Sequence, residues 1–289
     1  MAVNYYYMNI KGSTNIVGLI GHPVEHSFSP PMHNAAFQSL GMDYAYVAFD
    51  VNPNDLSSAI EGARSLNIKG FNVTIPHKIE VMQYLNELDE VAELIGAVNT
   101  IDFKNLKGYN TDGIGAIKAI EEVTKVKDRD VIVAGAGGAS RAISFYLARF
   151  GASSITILNR NVERAQSLAG DVLASDLIGD VNADSISEID NLIGDADILV
   201  DTTPLGMDPH INDEPIATAD NMHEDLVVFD AVYNPNETVL LKEAIKAGAK
   251  PVYGIKMLLY QGAESFRIWT GRDAPIDVME KALNEYLGR

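Results

Sequence analysis

Cysteine is absent from all 289 residues, which excludes disulfides, thiolate metal ligands and thiol nucleophiles together. Cations are scarce: 22 Lys and Arg stand against 40 Asp and Glu, a formal charge of -18. That charge repels nucleic-acid phosphates, so no nucleic-acid partner is expected. The longest apolar runs, such as NIVGLIG (15–21) and VIVAGAG (131–137), fall well short of the roughly 18 residues a membrane-spanning helix needs. No membrane partner is expected either. The opening stretch MAVNYYYMNIKGS has no basic region leading into a long apolar core, which predicts a cytoplasmic protein without a secretory leader. Repeats and low-complexity segments are missing as well. Among six histidines, His22 and His26 come nearest to a metal pair, but Pro23 denies them a shared helical face, and no metal is expected.

What is present is a 47% hydrophobic chain in which strand-like and helix-like segments alternate throughout, the pattern of an α/β protein with largely parallel sheets. NIVGLIG, DYAYVAFDV and KGFNVTI read as strands, PPMHNAAFQSL and NPNDLSSAIEGARSLN as helices between them, with Gly41 closing the first. NELDEVAELIGA reads as a helix, and VNTIDFKNLKGYNTD as a hairpin with Lys104 to Lys107 at its tip. A second series of five strands follows, in DVIVAGAG, ITILNR, ADILVDT, LVVFDAVY and AKPVYG. The chain is expected to divide near residue 115 into two domains.

The second series opens on RDVIVAGAGGASRAISFYLARFGASSITILNR: a buried-type strand, a glycine turn, a helix and a second strand. Gly135, Ala136, Gly137, Gly138 and Ala139 fill the glycine-rich turn of a Rossmann dinucleotide site, with Ser140 where a third glycine or alanine is usual. Such a turn lets a pyrophosphate approach the free amides of a helix N-terminus. An NAD site generally places an acid at the end of the second strand to accept from the ribose hydroxyls. Here that strand ends Asn159-Arg160, and Arg164 follows one helical turn later. Two guanidiniums suit a 2′-phosphate, so the expected cofactor is NADP.

A nucleotide redox cofactor requires a small-molecule substrate, and polar clusters of the first half stand at strand ends and turns: Ser27 and Ser29, Asn72 to Lys78, Gly96 to Thr100, and Asn110 to Gly113. Together with the later segments they spell HSFSPPMHN, GFNVTIPHK, GAVNT, GYNTDG, AGAGGASRA, NRNVERA, TTPLGM, VYNP and YGIKMLLYQGA, in that order over nearly the whole chain. In these motifs the sequence resembles the shikimate dehydrogenase family, which reduces 3-dehydroshikimate to shikimate with NADPH on the route to aromatic amino acids.

The resemblance implies roles at the matching positions. Ser27 and Ser29 would bind the substrate carboxylate, with hydroxyl donors and no buried cation. Thr74 and Asn99 would bind ring hydroxyls, and Tyr233 and Gln261 would also touch substrate. Lys78 and Asp112 would be the catalytic pair, an ammonium that supplies a proton to the oxygen of the reduced ketone and a carboxylate that orients it. Thr202, Glu90, Ala231 and Gly254 would meet the nucleotide. His77 has no required part. Residues 1–115, completed by helices from 256–289, would form an N-terminal α/β substrate domain, and 116–255 a Rossmann-type NADP domain across a cleft. Asp201 departs from the family, which often has Asn there. Ser29 also stands where a helix N-cap would, so Ser27 is the serine less explained by capping. A homodimer is left open. Two alternatives remain at this point, a quinate/shikimate dehydrogenase with dual cofactor use and a non-catalytic sensor of NADP and shikimate.

Overall fold

A computed structural model describes residues 10–288; residues 1–9, which hold most of the stretch expected to carry no leader, and residue 289 lie outside it. The chain forms two units, one ending at Thr111 and resuming at Gly262, the other spanning Asp112–Gln261.

The first unit holds β1 (Asn15–Gly21), α1 (Ser29–Ser39), β2 (Tyr44–Asp50), α2 (Leu56–Ser65), β3 (Gly70–Val73), β4 (Glu87–Leu88), α3 (Glu90–Ile95), β5 (Thr100–Asp102) and β6 (Lys107–Tyr109). Its sheet runs β2-β1-β3-β5-β6-β4. β1 pairs in parallel with β2 and β3, whereas β5 is antiparallel to both β3 and β6, so this sheet is mixed. The expected hairpin is β5–β6. The helix expected from residue 86 starts only at Glu90, because Asp89 accepts from the Val91 N–H as its N-cap and the preceding pair joins the sheet beside β6. Ile20, Leu56, Ile60, Phe71, Val73, Val81 and Ile101 make the core.

The second unit holds α4 (Asp112–Ile120), β7 (Asp130–Ala134), α5 (Gly138–Arg149), β8 (Ser154–Asn159), α6 (Val162–Leu173), β9 (Val181–Ser185), α7 (Ile189–Leu192), β10 (Ile198–Asp201), β11 (Val227–Asp230), α8 (Val239–Ala247) and β12 (Lys250–Tyr253). The helix α9 (Gly254–Thr270) contains the unit boundary, and α10 (Ile276–Tyr286) belongs to the first unit. The second sheet, β12-β11-β10-β7-β8-β9, is parallel throughout. It has six strands where the sequence suggested five: β9, read VNADS, is an edge strand with no fully buried residue, so it lacks the apolar run that marks its neighbours. The order reverses at β7, which has β8 on one side and β10 on the other, and in such sheets a ligand crevice opens at the carboxyl ends beside that point. Among the described residues no helix is long and apolar enough to cross a membrane, and no group of three or more His, Asp or Glu could hold a metal ion.

Candidate active site

In the first unit, β1 and β3 end side by side at Gly21 and Val73. A Cβ on Gly21 would run into Thr74 Cγ2, so glycine is what lets Thr74 stand against that strand end. Lys78 follows on the same segment, half-buried, its carbonyl held by the Val98 N–H at 2.8 Å. His77 beside it is buried with Nε2 2.7 Å from the Val51 carbonyl, a structural contact.

Neither serine is the N-cap of α1. α1 is capped by Phe28 with no side-chain bond, and Ser29 is its first residue, not its N-cap. The Ser29 N–H donates to Ser27 Oγ at 3.2 Å, so the turn engages Ser27 as an acceptor and leaves its own O–H to donate. Proline in the following turn needs no amide acceptor, which spares the helix start a conventional cap. Ser29 is buried and hydrogen-bonds the Tyr46 phenol.

From Tyr46 a buried polar network runs to Asn99. The Tyr46 hydroxyl donates to Asn72 Oδ1 at 2.8 Å, and Asn72 Nδ2 donates to Thr100 Oγ1 at 3.0 Å and Ser265 Oγ at 2.9 Å. Asn99 Oδ1 accepts from the Thr111 N–H at 2.8 Å, and Asn99 Nδ2 donates to Thr111 Oγ1 at 3.0 Å. Ser29 and Asn99 are thus set by one connected array. Its middle members, Tyr46, Asn72, Thr100, Thr111 and Ser265, were not singled out from the sequence. Asn72, Thr100 and Thr111 lie inside the quoted motifs, whereas Ser265 carries no signal in the chain at all.

In the second unit, Asp112 opens α4, and Gly113 lets that helix meet α5, since a Cβ there would strike Tyr146 and Ala142. Gln261 Nε2 donates to the Leu258 carbonyl at 3.0 Å, and Tyr233 is 38% exposed on the loop after β11. Beside the strand-order reversal lies a cavity of about 820 Å³. Gly135, Ala136, Gly137, Asn159, Arg160, Arg164 and Thr202 all line it. Gly135 has φ +105, and a Cβ there would collide with Thr202 Oγ1. Ser140 Oγ donates to the Gly135 carbonyl at 2.6 Å, which explains a serine in the third glycine position: it ties the turn to the helix. Arg160 and Arg164 are exposed, and neither has an ion-pair partner among the described residues.

Gly138 and Ala139 sit in the first turn of α5 and do not line the cavity. Ala231 and Gly254 stand together and do not line it either; a Gly254 Cβ would meet the Ala231 carbonyl. Glu90 belongs to the first unit, in the first turn of α3. The cavity walls from Ile186, Ser187, Thr203 and Leu205 carried no expectation, because no side-chain chemistry marks them in the sequence. Behind Thr202, Asp201 and Asp230 are buried acids. Burial, and then the Asp230 carboxylate, raises Asp201 above the ordinary carboxylate range. Burial raises Asp230 too, against hydrogen bonds from Thr238 and Val232.

These segments match known families. Residues 19–101 match the shikimate dehydrogenase substrate binding domain, 118–238 the shikimate / quinate 5-dehydrogenase model, and 254–283 the shikimate 5′-dehydrogenase C-terminal domain. The chain is similar to a shikimate dehydrogenase (NADP(+)) of Methanobrevibacter smithii, 72% identical over 96% of this chain and 99% of that one. It is similar in structure to a shikimate dehydrogenase crystallised with NADP+, at TM-score 0.90 and 49% identity, covering 97% of this chain and 98% of that one. A Listeria monocytogenes shikimate 5-dehydrogenase in complex with shikimate and NAD aligns at TM-score 0.91 and 34% identity, covering 97% of this chain and all of that one (100%). With these identities along nearly its full length, the chain belongs to the shikimate dehydrogenase family.

Proposed function

We propose that this chain is the NADP-dependent enzyme that interconverts 3-dehydroshikimate and shikimate, a step toward aromatic amino acids carried out in the cytoplasm. The relatives' names support the activity. The observation that carries the cofactor is Arg160 and Arg164, exposed and unpaired on the rim of a glycine-turn cavity in a chain of charge -18. Guanidiniums left without carboxylates are suited to a 2′-phosphate, and the α5 N-terminus to a pyrophosphate.

When bound, NADPH supplies the hydride that reduces the ketone. The chain's own residues do the rest. Ser27 donates its hydroxyl to the substrate carboxylate, and Ser29 does so by turning its O–H from the Tyr46 oxygen to the substrate. Thr74 and Asn99 hold ring hydroxyls, Asn99 being oriented by Thr111. Lys78 gives a proton to the oxygen of the former ketone, Asp112 orients the ammonium, and Tyr233 and Gln261 complete the substrate contacts. The first unit binds substrate and the second binds NADP. A sensor would have no use for Lys78 and Asp112, so catalysis is the favoured reading.

The test is to mix purified protein with shikimate and NADP+ and follow absorbance of the reduced nicotinamide. Turnover that favours shikimate and NADP+ is expected. Equal rates with quinate or NAD+ point to the broader enzyme, and no turnover with either polyol and either cofactor removes the assignment.

A further inference from the structure

Two carboxylates of the second unit take no part in the chemistry above. Asp201 and Asp230 are register partners at the carboxyl ends of the adjacent parallel strands β10 and β11, 1% and 0% exposed. Parallel register puts both side chains on one face of the sheet. Asp201 Oδ1 accepts from the Thr203 N–H at 2.8 Å. Asp230 accepts from the Val232 N–H at 2.9 Å and from Thr238 Oγ1 at 2.6 Å. Each acid ties down the loop that leaves its own strand.

The loop after β10 lines the nucleotide cavity, and the loop after β11 is tied to the end of β10. Thr202, Thr203, Pro204 and Leu205 line the cavity, and the Ala231 N–H is held by the Asp201 carbonyl at 2.9 Å. Around the pair, β7 presents Ala134 and β12 presents Tyr253 in register, and α8 contributes Thr238. The charged groups of α8 are Lys242, Glu243 and Lys246, and Glu243 is engaged by the Ala219 N–H and Lys246. Among the described residues no cation bonds either acid. Two buried carboxylates in register on neighbouring strands, with no cation between them, repel when both are ionised, which favours a state with one of them protonated.

We propose that Asp201 and Asp230 are positioning residues for the dinucleotide: the single proton held by the pair keeps both loops in the binding arrangement, and NADP affinity is linked to it. Resting on the cofactor assigned above, this makes affinity fall as pH rises. Loss of the proton places two like charges side by side, pushes the strand ends apart and adds negative charge behind an anion site.

The experiment measures the Kd of NADP+ for the intact protein and for Asp201→Asn between about pH 7 and 9, above the phosphate titration near pH 6 so that the ligand charge is constant. The unaltered protein is expected to lose affinity several-fold across this range, approaching about tenfold per pH unit where the pair titrates. Asp201→Asn keeps an oxygen acceptor for Thr203 and is expected to lose that slope. Thermal unfolding gives an independent reading. A carboxyl whose folded-state titration is raised loses stability as pH rises, so the melting advantage of Asp201→Asn should widen from acid to alkaline pH. A flat Kd in the unaltered protein, equal slopes in both forms, or a melting difference independent of pH overturns the proposal. Failure to bind NADP+ at any pH overturns the cofactor assignment along with it; normal binding with equal slopes overturns this inference alone.

Discussion

His33 makes the stability of the first unit sensitive to acid, and the effect can be sized. The ring is completely buried in α1, neither nitrogen has a hydrogen-bond partner, and it stacks on Tyr46 at 4.5 Å with parallel planes. Burial alone lowers it from 6.5 to about 3. A depressed histidine is neutral in the folded chain but takes a proton in the unfolded chain below about pH 6.5. Its stabilisation is therefore complete above that pH and lost as pH falls toward 3. Linkage gives a loss of about 2 kcal/mol by pH 5 and about 3 kcal/mol by pH 4, relative to pH 8. His33→Phe keeps a planar ring in the stack and removes the proton site. Trp269, the chain's single tryptophan, lies 5.5 Å from the His33 ring and reports this unit by fluorescence. Urea unfolding at pH 8, 5 and 4 should show the variant losing less stability than the parent by those amounts. Packing changes shift both ends of the series equally and cancel. Parallel curves for the two proteins would refute a buried neutral histidine.

The remaining expectations concern ligand contacts and support. Arg160→Ala should weaken NADP+ binding by about 10- to 100-fold, the worth of a charge-assisted bond to phosphate, and NAD+ binding by much less; equal losses for both nucleotides, measured by titration, remove the 2′-phosphate role. Lys78→Ala should lower kcat by about 100-fold or more with a small change in KM, as for loss of a general acid, and a normal kcat would take Lys78 out of the reaction. Asn72→Ala should cost about 3 kcal/mol in urea unfolding, because the Tyr46 hydroxyl and two buried hydroxyls lose a partner. A loss below about 0.5 kcal/mol would mean the network is not sustained by Asn72.

Most of the α/β pattern is legible because burial leaves a periodic mark. Ile198–Asp201 and Val227–Asp230 are buried at every position, and continuous apolar runs of that length name parallel strands. β9 and β4 leave no such mark, since edge position and brevity relax the demand for apolar residues. The glycine turn is legible from its function, but its finish is not. That Ser140 ties back to Gly135, or that Thr202 fills the space a Cβ at Gly135 would need, depends on residues brought together by the sheet from 5 and 67 positions away. The serines of HSFSPPMHN show the same limit. Spacing suggested Ser29 as the cap, and only backbone geometry shows the turn bonding Ser27 while Ser29 turns inward to Tyr46.

Asn159 has a double consequence at the phosphate end of the site. An acid at that strand end would accept from a ribose hydroxyl, and would also lie beside Arg160 and one helical turn from Arg164. Arginine in this chain takes a carboxylate where one is in reach, as Arg129 does with Asp197 at 2.9 Å and Arg141 with Asp171 at 2.5 Å. At the end of β8 the chain places amides instead. Asn159 Nδ2 donates to the Asn161 carbonyl at 2.9 Å, and Asn161 Oδ1 caps α6 by accepting from the Arg164 N–H at 2.8 Å. The helix start is satisfied by a neutral side chain, so neither guanidinium is drawn into the cap. Among the described residues neither arginine pairs with an acid, although Glu163 precedes Arg164 in the first turn of α6, and Asn159 and Asn161 add no carboxylate at the strand end. The same substitution of amide for acid that withdraws the acceptor for a ribose hydroxyl leaves the cations available to a phosphate, and one local choice turns the site toward NADP on both counts.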